Sequence, residues 1–222
     1  MAHKPELPKG YLGPQAKFGQ FGLQTINHNN PEINLDVNEV EIELKMATPV
    51  KVTGNLIQME SLKELPEYVF TQTKEDVVKF LVWIPKAGYY KLQIYALPLS
   101  DDSKTLPGVY NYLINCTNTP KMVQPFPKQF AQWKEGCYLT EPLNIPKGSP
   151  INEIRFKVTI PNCKAAAIVA EGEWTHLEEK GSGNWEGVVC LEQFRGKDAK
   201  VTLNANYGGE ESKYSTLLEY KI

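Results

Sequence analysis

Three residues in the second half of the chain have the types needed for nucleophilic catalysis. Cys137 follows a glycine, His176 comes 39 residues later, and Asp198 follows after another 22. A thiol that is activated by a histidine, itself oriented by a carboxylate, carries out acyl transfer. Such a thiol gains acidity at a helix N-terminus, whereas Pro142 and Pro146 follow Cys137 and argue against a helix there. We therefore interpret the three residues as unrelated, and keep a cysteine acyl-transfer enzyme as an alternative function.

The remaining polar residues indicate neither a metal site nor a cofactor site. The four cysteines are 21, 26 and 27 residues apart and form no CxxC pair, a spacing that disfavours structural zinc and predicts free, mostly buried thiols. His3 and His28 are predicted to lie at the surface. The loop-tip carboxylates are too few and too widely spaced for calcium, which takes six to eight oxygen ligands; they are Asp101, Asp102, Glu210 and Glu211.

The composition excludes two classes of partner. The chain has 222 residues, of which 41% are hydrophobic and 23% charged, with a net charge of −2. Such a balance provides no field for a polyanion, so we expect no nucleic-acid binding. No apolar run approaches the ~18–20 residues that span a bilayer, and the start of the chain has no apolar signal segment. We predict a cytoplasmic protein without membrane insertion; a secreted adhesion or lectin-like protein stays as a second alternative.

The clearest structural element is the segment FLVWIPKAGYYKLQIYA, residues 80–96. After Pro85 and a short turn, Tyr90, Leu92, Ile94 and Ala96 alternate with polar residues, which is typical of a strand with one buried face. A tyrosine two residues before a core position is also how the sixth strand of an immunoglobulin-like sandwich begins, where its hydroxyl bonds back to the preceding turn. We expect such a tyrosine corner at Tyr90.

The second half of the chain repeats the strand pattern of the first at a period of about 110 residues. Val40–Met46 corresponds to Ile154–Ile160, and residues 88–96 correspond to 196–205, where Ala199 replaces the corner tyrosine. The closing strand of the first copy, residues 111–116, corresponds to residues 217–222. Residues 117–127 contain three prolines and predict a linker. The predicted fold is all-β, with two tandem immunoglobulin-like antiparallel β-sandwiches. The predicted segments are a polar leader at 1–10, domains at 11–116 and 128–222, and the linker at 117–127.

Exposed aromatic and charged side chains are the candidates for partner binding. Trp83 and Trp185 lie in apolar strands and are predicted to pack in the cores. Opposite charges at equivalent strands predict two sheet faces that could orient a partner, Glu41 and Glu43 in one copy against Arg155 and Lys157 in the other. The predicted aromatic contacts are Trp133, Trp174, Tyr89 and Tyr95, with Tyr110 as a further candidate.

Several segments together resemble the tandem immunoglobulin-like modules of the kyphoscoliosis peptidase and hillarin family. They are YLGPQAKFGQFGL, FLVWIPKAGYYKLQIYA, YNYLINC and LEQFRGKDAKVTLNANYG with YSTLLEYK. The resemblance implies cytoskeletal association and scaffolding. In that family the modules follow a transglutaminase-like domain with a Cys-His-Asp site; the segments that carry the resemblance match the modules and not that domain, so no catalytic residue is carried over. We therefore predict a non-enzymatic module that binds protein partners, cytoskeletal proteins among them.

Overall fold

The chain folds into two compact units, which are Met1–Gln124 and Pro125–Ile222 in the computed structural model. The structure describes residues 3–209 and 213–222. The division falls within the proline-rich residues 117–127, whose role as a linker stays a prediction. Part of this stretch packs on the first unit, because the buried Asn38 amide donates to the carbonyl of Lys121 at 2.8 Å and accepts from its backbone N–H at 3.1 Å.

The first unit consists of two facing sheets and one short helix. One sheet has the strand order β2-β4-β8-β7, and the other has β1-β10-β9-β5-β6 with β3 added in parallel to β10. This is the two-sheet arrangement of an immunoglobulin-like sandwich. The elements are β1 (Gly13–Pro14), α1 (Ala16–Gln20), β2 (Leu23–Thr25), β3 (Glu32–Leu35), β4 (Glu39–Met46), β5 (Val50–Gln58), β6 (Lys63–Glu64), a 3₁₀ turn (Pro66–Tyr68), β7 (Val69–Lys74), β8 (Val77–Trp83), β9 (Gly88–Pro98) and β10 (Gly108–Cys116).

Strand β9 confirms the alternation that the sequence predicts. Tyr90, Leu92, Ile94 and Ala96 are fully buried in the core, since a strand directs every second side chain to the same face. The Tyr90 hydroxyl donates to the carbonyl of Lys86 at 2.6 Å. This bond spans the turn before β9 and confirms the tyrosine corner.

The second unit has the same two-sheet plan. Its sheets have the orders β12-β13-β17-β16 and β11-β19-β18-β14-β15. All the pairings between the described strands of these two sheets are antiparallel. The elements are β11 (Lys128–Gln129), a 3₁₀ turn (Ala131–Lys134), β12 (Tyr138–Glu141), β13 (Ile154–Thr159), β14 (Ala165–Ala170), β15 (Glu173–His176), β16 (Glu178–Glu179), β17 (Asn184–Val189), a 3₁₀ turn (Glu192–Phe194), β18 (Lys200–Asn206) and β19 (Ser215–Lys221).

The last two strands of each unit have the same register, including one β-bulge. The bulged residue is Val109 in β10 and Leu217 in β19, and each is fully buried. The Val109 carbonyl accepts the N–H of Gln15 at 2.8 Å, and the Leu217 carbonyl accepts the N–H of Phe130 at 3.0 Å. An extra residue exposes a backbone group that the ladder cannot satisfy, and in both units the residue that follows the first strand, β1 or β11, satisfies it.

A buried tyrosine in the final strand of each unit makes an equivalent hydrogen bond. The Tyr112 hydroxyl donates to the carbonyl of His28 at 2.7 Å, and the Tyr220 hydroxyl donates to that of Pro142 at 2.8 Å. Both acceptors lie just after the first strand of their four-stranded sheet, β2 or β12. The hydroxyl therefore holds the segment that leads out of that strand against the opposite sheet.

This register corrects the alignment of the two copies at their ends. Tyr112 opposes Leu92, and Tyr220 opposes Val201, so the two tyrosines correspond and the closing strands align two residues away from the alignment of 111–116 with 217–222. Ala199 is buried at the position of the corner tyrosine, as predicted.

Candidate binding surface

The structure does not bring Cys137, His176 and Asp198 together as a catalytic site. Cys137 is buried just before β12, and its sulfur lies 3.8 Å from the carbonyl oxygen of Gln132. His176 is exposed at the end of β15, which is the last strand of the opposite sheet. Asp198 is exposed in a turn with a φ of 53°.

The environment of Cys137 also works against nucleophilic chemistry. Burial raises the pKa of the thiol from 9.0 to about 12, although the Tyr207 hydroxyl beside it acts in the opposite direction. The thiolate is the nucleophilic form of cysteine, so very little of it is present at neutral pH. All four cysteines are free; Cys190 is exposed and the other three are buried.

No group of three or more His, Cys, Asp or Glu side chains in residues 3–209 and 213–222 could hold a metal ion. Of the loop-tip carboxylates considered for calcium, Glu210 and Glu211 lie outside the described residues. Within the described part of the chain, no helix has the length and apolar character needed to cross a membrane.

The prediction that Trp133 is an exposed contact is wrong. Trp133 is only 2% exposed, and the 3₁₀ turn that carries it packs on β19. It corresponds to Phe18 of α1, which packs 5.1 Å from the ring of Tyr110. In each unit a short helical turn after the first paired strand therefore places one large aromatic side chain in the core. The repeated spacing, an alanine two residues before the aromatic residue, is the sequence signal for this equivalence.

The other predicted aromatic contacts differ in exposure. Tyr110 is buried, so its prediction as an exposed contact is also wrong. Tyr89 and Tyr95 are half-buried, and the Tyr95 hydroxyl donates to the side-chain oxygen of Gln93 at 2.8 Å. Trp185 lies in the core as predicted, whereas Trp83 is only half-buried.

Among the predicted aromatic contacts, Trp174 is the most exposed. Its side chain is 48% exposed on β15. The Tyr214 ring meets it edge to face at 4.9 Å between centroids, and the His176 ring lies 6.1 Å away. We call Trp174, His176 and Tyr214 the β15 aromatic cluster. Alternation along β15 places Trp174 and His176 on one face, but Tyr214 joins them from 38 residues further on, which the strand pattern alone does not reveal.

A hydrogen-bonded group of polar side chains lies beside this cluster on the same face of the sheet. Ala167 pairs with both His176 and Asn204, so the three side chains share one face. The Asn204 amide donates to the Thr202 hydroxyl at 2.9 Å and accepts from the Thr216 hydroxyl at 2.8 Å. A polar network with its donors and acceptors paired holds a single arrangement. The β15 aromatic cluster therefore shares its sheet face with a hydrogen-bonded polar network.

The four charged residues predicted to distinguish the two sheet faces each have a counter-ion nearby. Carboxylate oxygens of Glu41 and Glu43 lie 3.3 and 3.8 Å from the Lys79 ammonium nitrogen. Exposed ion pairs of this kind contribute little to stability, but they reduce the charge difference between the faces. Whether the faces orient a partner stays a prediction. In the second unit the pairs are Arg155 with Glu141 at 3.9 Å and Lys157 with Glu186 at 3.5 Å.

The sheets, the bulged final strands and the tyrosine corner define an all-β protein built from immunoglobulin-like sandwiches. Comparison with protein-family models matches residues 6–127 to the "KY-like, immunoglobulin-like domain" family. The match covers more than half of the chain, and the protein belongs to this family.

Curated relatives extend the similarity to both units. Kyphoscoliosis peptidase of Homo sapiens is 25% identical over 219 residues, which cover 95% of this chain and 31% of the relative, and the Mus musculus protein gives the same figures. Hillarin of Drosophila melanogaster is 29% identical over 101 residues, covering 45% of this chain and 12% of its own length. The chain thus spans about a third of the length of the peptidase relatives that it matches.

Solved structures of tandem immunoglobulin domains also match the chain. A chimeric titin Z1Z2-Z1Z2 tandem has 9% identity and a TM-score of 0.25, covering 86% of this chain and 92% of its own. The tandem Ig repeats of Dlar have 9% identity and a TM-score of 0.25, covering 90% and 96%. TM-scores this low do not support an inference about the fold. The fold class is supported instead by the observed sheets and by the match to the family model.

Proposed function

We propose that the chain is a non-enzymatic protein-interaction and scaffolding module of the cytoplasm, associated with the cytoskeleton. The observation that carries the proposal is the β15 aromatic cluster. A half-exposed tryptophan next to a tyrosine and a histidine has the composition of protein-binding surfaces, in which Trp and Tyr are enriched among the residues that contribute most affinity. The cytoskeletal and cytoplasmic parts of the proposal rest on the family resemblance.

The environment of Cys137 supports the non-enzymatic part of the proposal. An acyl-transfer enzyme needs a thiol of lowered pKa within hydrogen-bonding reach of its base. Here burial raises the pKa of Cys137, and His176 lies on the other sheet. The relatives named as peptidases share with this chain the region that folds as immunoglobulin-like sandwiches, so their name is not transferred to it.

A capture experiment with a matched pair of variants tests the proposal. The immobilised full chain is incubated with a cell lysate that retains cytoskeletal proteins, and the captured proteins are quantified by mass spectrometry for wild type, Trp174→Ala and Val188→Ala. Val188 is the control because it is also 48% exposed but lies on β17, in the other sheet. We expect Trp174→Ala to lose more than half of the specifically captured protein while Val188→Ala retains it.

Two results would contradict the proposal. Wild type that captures no more protein than the empty matrix is not an interaction module. Wild type that cleaves or cross-links captured proteins, with the activity lost in Cys137→Ala, is an enzyme of the acyl-transfer class.

A further inference from the structure

Strand β15 forms an open edge of its sheet. In the described part of the chain it pairs only with β14. The N–H of Leu177 donates to the carbonyl of Ala166 at 2.9 Å, which continues the β14–β15 ladder by one residue. Antiparallel pairs alternate between hydrogen-bonded and non-hydrogen-bonded. Counting back two residues, Thr175 is hydrogen-bonded to Ile168 across the ladder.

Trp174 and His176 occupy the intervening, non-hydrogen-bonded positions opposite Val169 and Ala167. Their backbone N–H and C=O groups therefore point away from β14, toward the free side of the edge. Their side chains meanwhile belong to the β15 aromatic cluster on the sheet face. A strand added at this edge would find backbone donors and acceptors at the same two residues whose rings lie beside it.

The equivalent edge of the first unit is built differently. There the last strand, β6, has only two residues, Lys63 and Glu64, both exposed and of opposite charge. A very short, charged edge strand is a common protection against pairing with other chains. Strand β15 is twice as long and presents an exposed tryptophan, so it lacks the protection that a very short strand gives.

The negative charges around β15 favour a positively charged binding partner. Residues 171–179, EGEWTHLEE, contain four glutamates and neither lysine nor arginine. Glu178 pairs with Lys180 at 2.9 Å, and Glu173 accepts a hydrogen bond from the Gln193 amide. A second copy of this edge would bring eight carboxylates together, and a nucleic acid would bring phosphates, so both are repelled. A cationic segment is attracted, and a Lys or Arg over the face of a tryptophan gains further interaction energy.

We propose that β15 binds an extended, basic segment of a partner protein as an added antiparallel or parallel strand, with a Lys or Arg side chain stacked on Trp174. This rests on the proposed interaction function and identifies its site and the chemistry of its partner. The affinity is electrostatic in part, so it falls as salt concentration rises.

The first test uses two synthetic probes and the wild-type full chain. One peptide of nine residues alternates arginine and threonine, and the control replaces every arginine by glutamate; both have blocked termini. We expect the arginine peptide to bind and to slow hydrogen exchange at the amides of Trp174 and His176, and the glutamate peptide to do neither. Equal binding of the two peptides, or exchange at these amides that the arginine peptide leaves unchanged, overturns the proposal.

The second test uses the direction of one backbone N–H. His176→Pro removes a donor that points to the free edge and leaves the Thr175 and Leu177 bonds to β14 in place, and proline is tolerated on such edges. His176→Ala removes the same side chain but keeps the donor. We expect His176→Pro to weaken binding of the arginine peptide by about fivefold or more. His176→Ala should weaken it by about 2.5-fold or less, because it keeps the backbone donor. Trp174→Ala should weaken it about threefold or more through the lost cation–π contact.

The outcomes separate this proposal from the one it rests on. If His176→Pro captures proteins from lysate as well as wild type, the interaction function stands and β15 is not its site. If the arginine peptide binds at β15 but wild type captures no protein, the site stands and the interaction function fails. Should His176→Pro misfold by circular dichroism, the exchange measurement on wild type decides alone.

Discussion

The Tyr90 hydroxyl offers a direct test of how the first unit is held together. The substitution Tyr90→Phe removes a single oxygen and leaves the ring, which is fully buried in the core, in place. The lost interaction is the 2.6 Å hydrogen bond to the carbonyl of Lys86. The Gln58 amide, 3.5 Å from the hydroxyl, is too distant to contribute much.

The expected cost follows from what happens to the Lys86 carbonyl. The net contribution of an intramolecular hydrogen bond to stability is about 0.5–1.5 kcal/mol. The loss is larger only when the remaining donor or acceptor is buried and has no water to bind. Lys86 is exposed in a turn, so water can replace the hydroxyl at its carbonyl. We therefore expect the first unit to lose about 1 kcal/mol of unfolding free energy, near the middle of that range.

Hydrogen exchange monitored by mass spectrometry measures this loss in the full chain, because it reports each unit separately. For the slowest peptides of β9, 1 kcal/mol corresponds to exchange about five times faster when global unfolding controls it. Peptides from the second unit are the internal reference and should be unchanged. Tyr89→Phe is the matched control, since Tyr89 is adjacent and half-buried.

Two results would refute this reasoning. If Tyr90→Phe accelerates exchange no more than Tyr89→Phe does, the corner bond contributes nothing that a neighbouring tyrosine does not. If the loss exceeds about 3 kcal/mol, the carbonyl of Lys86 is not being rehydrated, and the turn must collapse when the bond is removed.

Three further predictions concern backbone conformation, packing and thiol chemistry. Gly22 has a φ of +73°, and a Cβ there would lie 2.9 Å from the Ala47 side chain. Gly22→Ala should therefore lower the unfolding free energy by about 1–3 kcal/mol in urea titrations. In the control Gly19→Ala, in α1, the new Cβ meets nothing within 4 Å, so this substitution should raise the unfolding free energy by up to about 1 kcal/mol. Trp133→Ala should destabilise the second unit by about 3–5 kcal/mol, measured by exchange of β19 peptides, because it empties a core position; a loss under 1 kcal/mol would contradict its placement. Iodoacetamide at pH 8 should label the exposed Cys190 well before Cys137. The protonated Cys137 thiol stabilises the fold fully below its unfolded pKa of 9.0, and this stabilisation is lost as pH rises toward about 12, so Cys137→Ala should flatten that part of the stability profile.

Local patterns in the sequence predicted what depends on a single strand. The buried face of β9 follows from alternation alone, and the corner at Tyr90 follows from its spacing to Leu92, because both are set within a few residues. Trp133 was predicted wrongly because burial depends on what packs above a residue. Trp133 stands between Gln132 and Lys134, and only its spacing from Ala131, which matches that of Phe18 from Ala16, indicates the short helical turn that places it against β19.

Long-range pairing explains the other misses. The parallel pairing of β3 with β10 joins segments about 80 residues apart. The Tyr214–Trp174 contact joins the residue before β19 to the edge strand β15. Neither leaves a periodic signal, since each partner alone resembles an ordinary strand end. The two-residue shift between the closing strands arose similarly, because only the cross-strand register shows that Tyr220 corresponds to Tyr112.

The two units share the features of their final strands, β10 and β19, and differ in the edge strands β6 and β15. Each has a bulge in the final strand whose carbonyl accepts an N–H from the residue after the first strand, and a buried tyrosine that bonds across to the other sheet. The edges differ, with two charged residues in β6 and four residues including an exposed tryptophan in β15. Core features are under the constraint of folding, whereas an edge is free to vary once the core is stable. A difference at the edge is therefore where a binding role can arise without loss of the fold, and it is the reason that we propose β15, and not either core, as the site of partner binding.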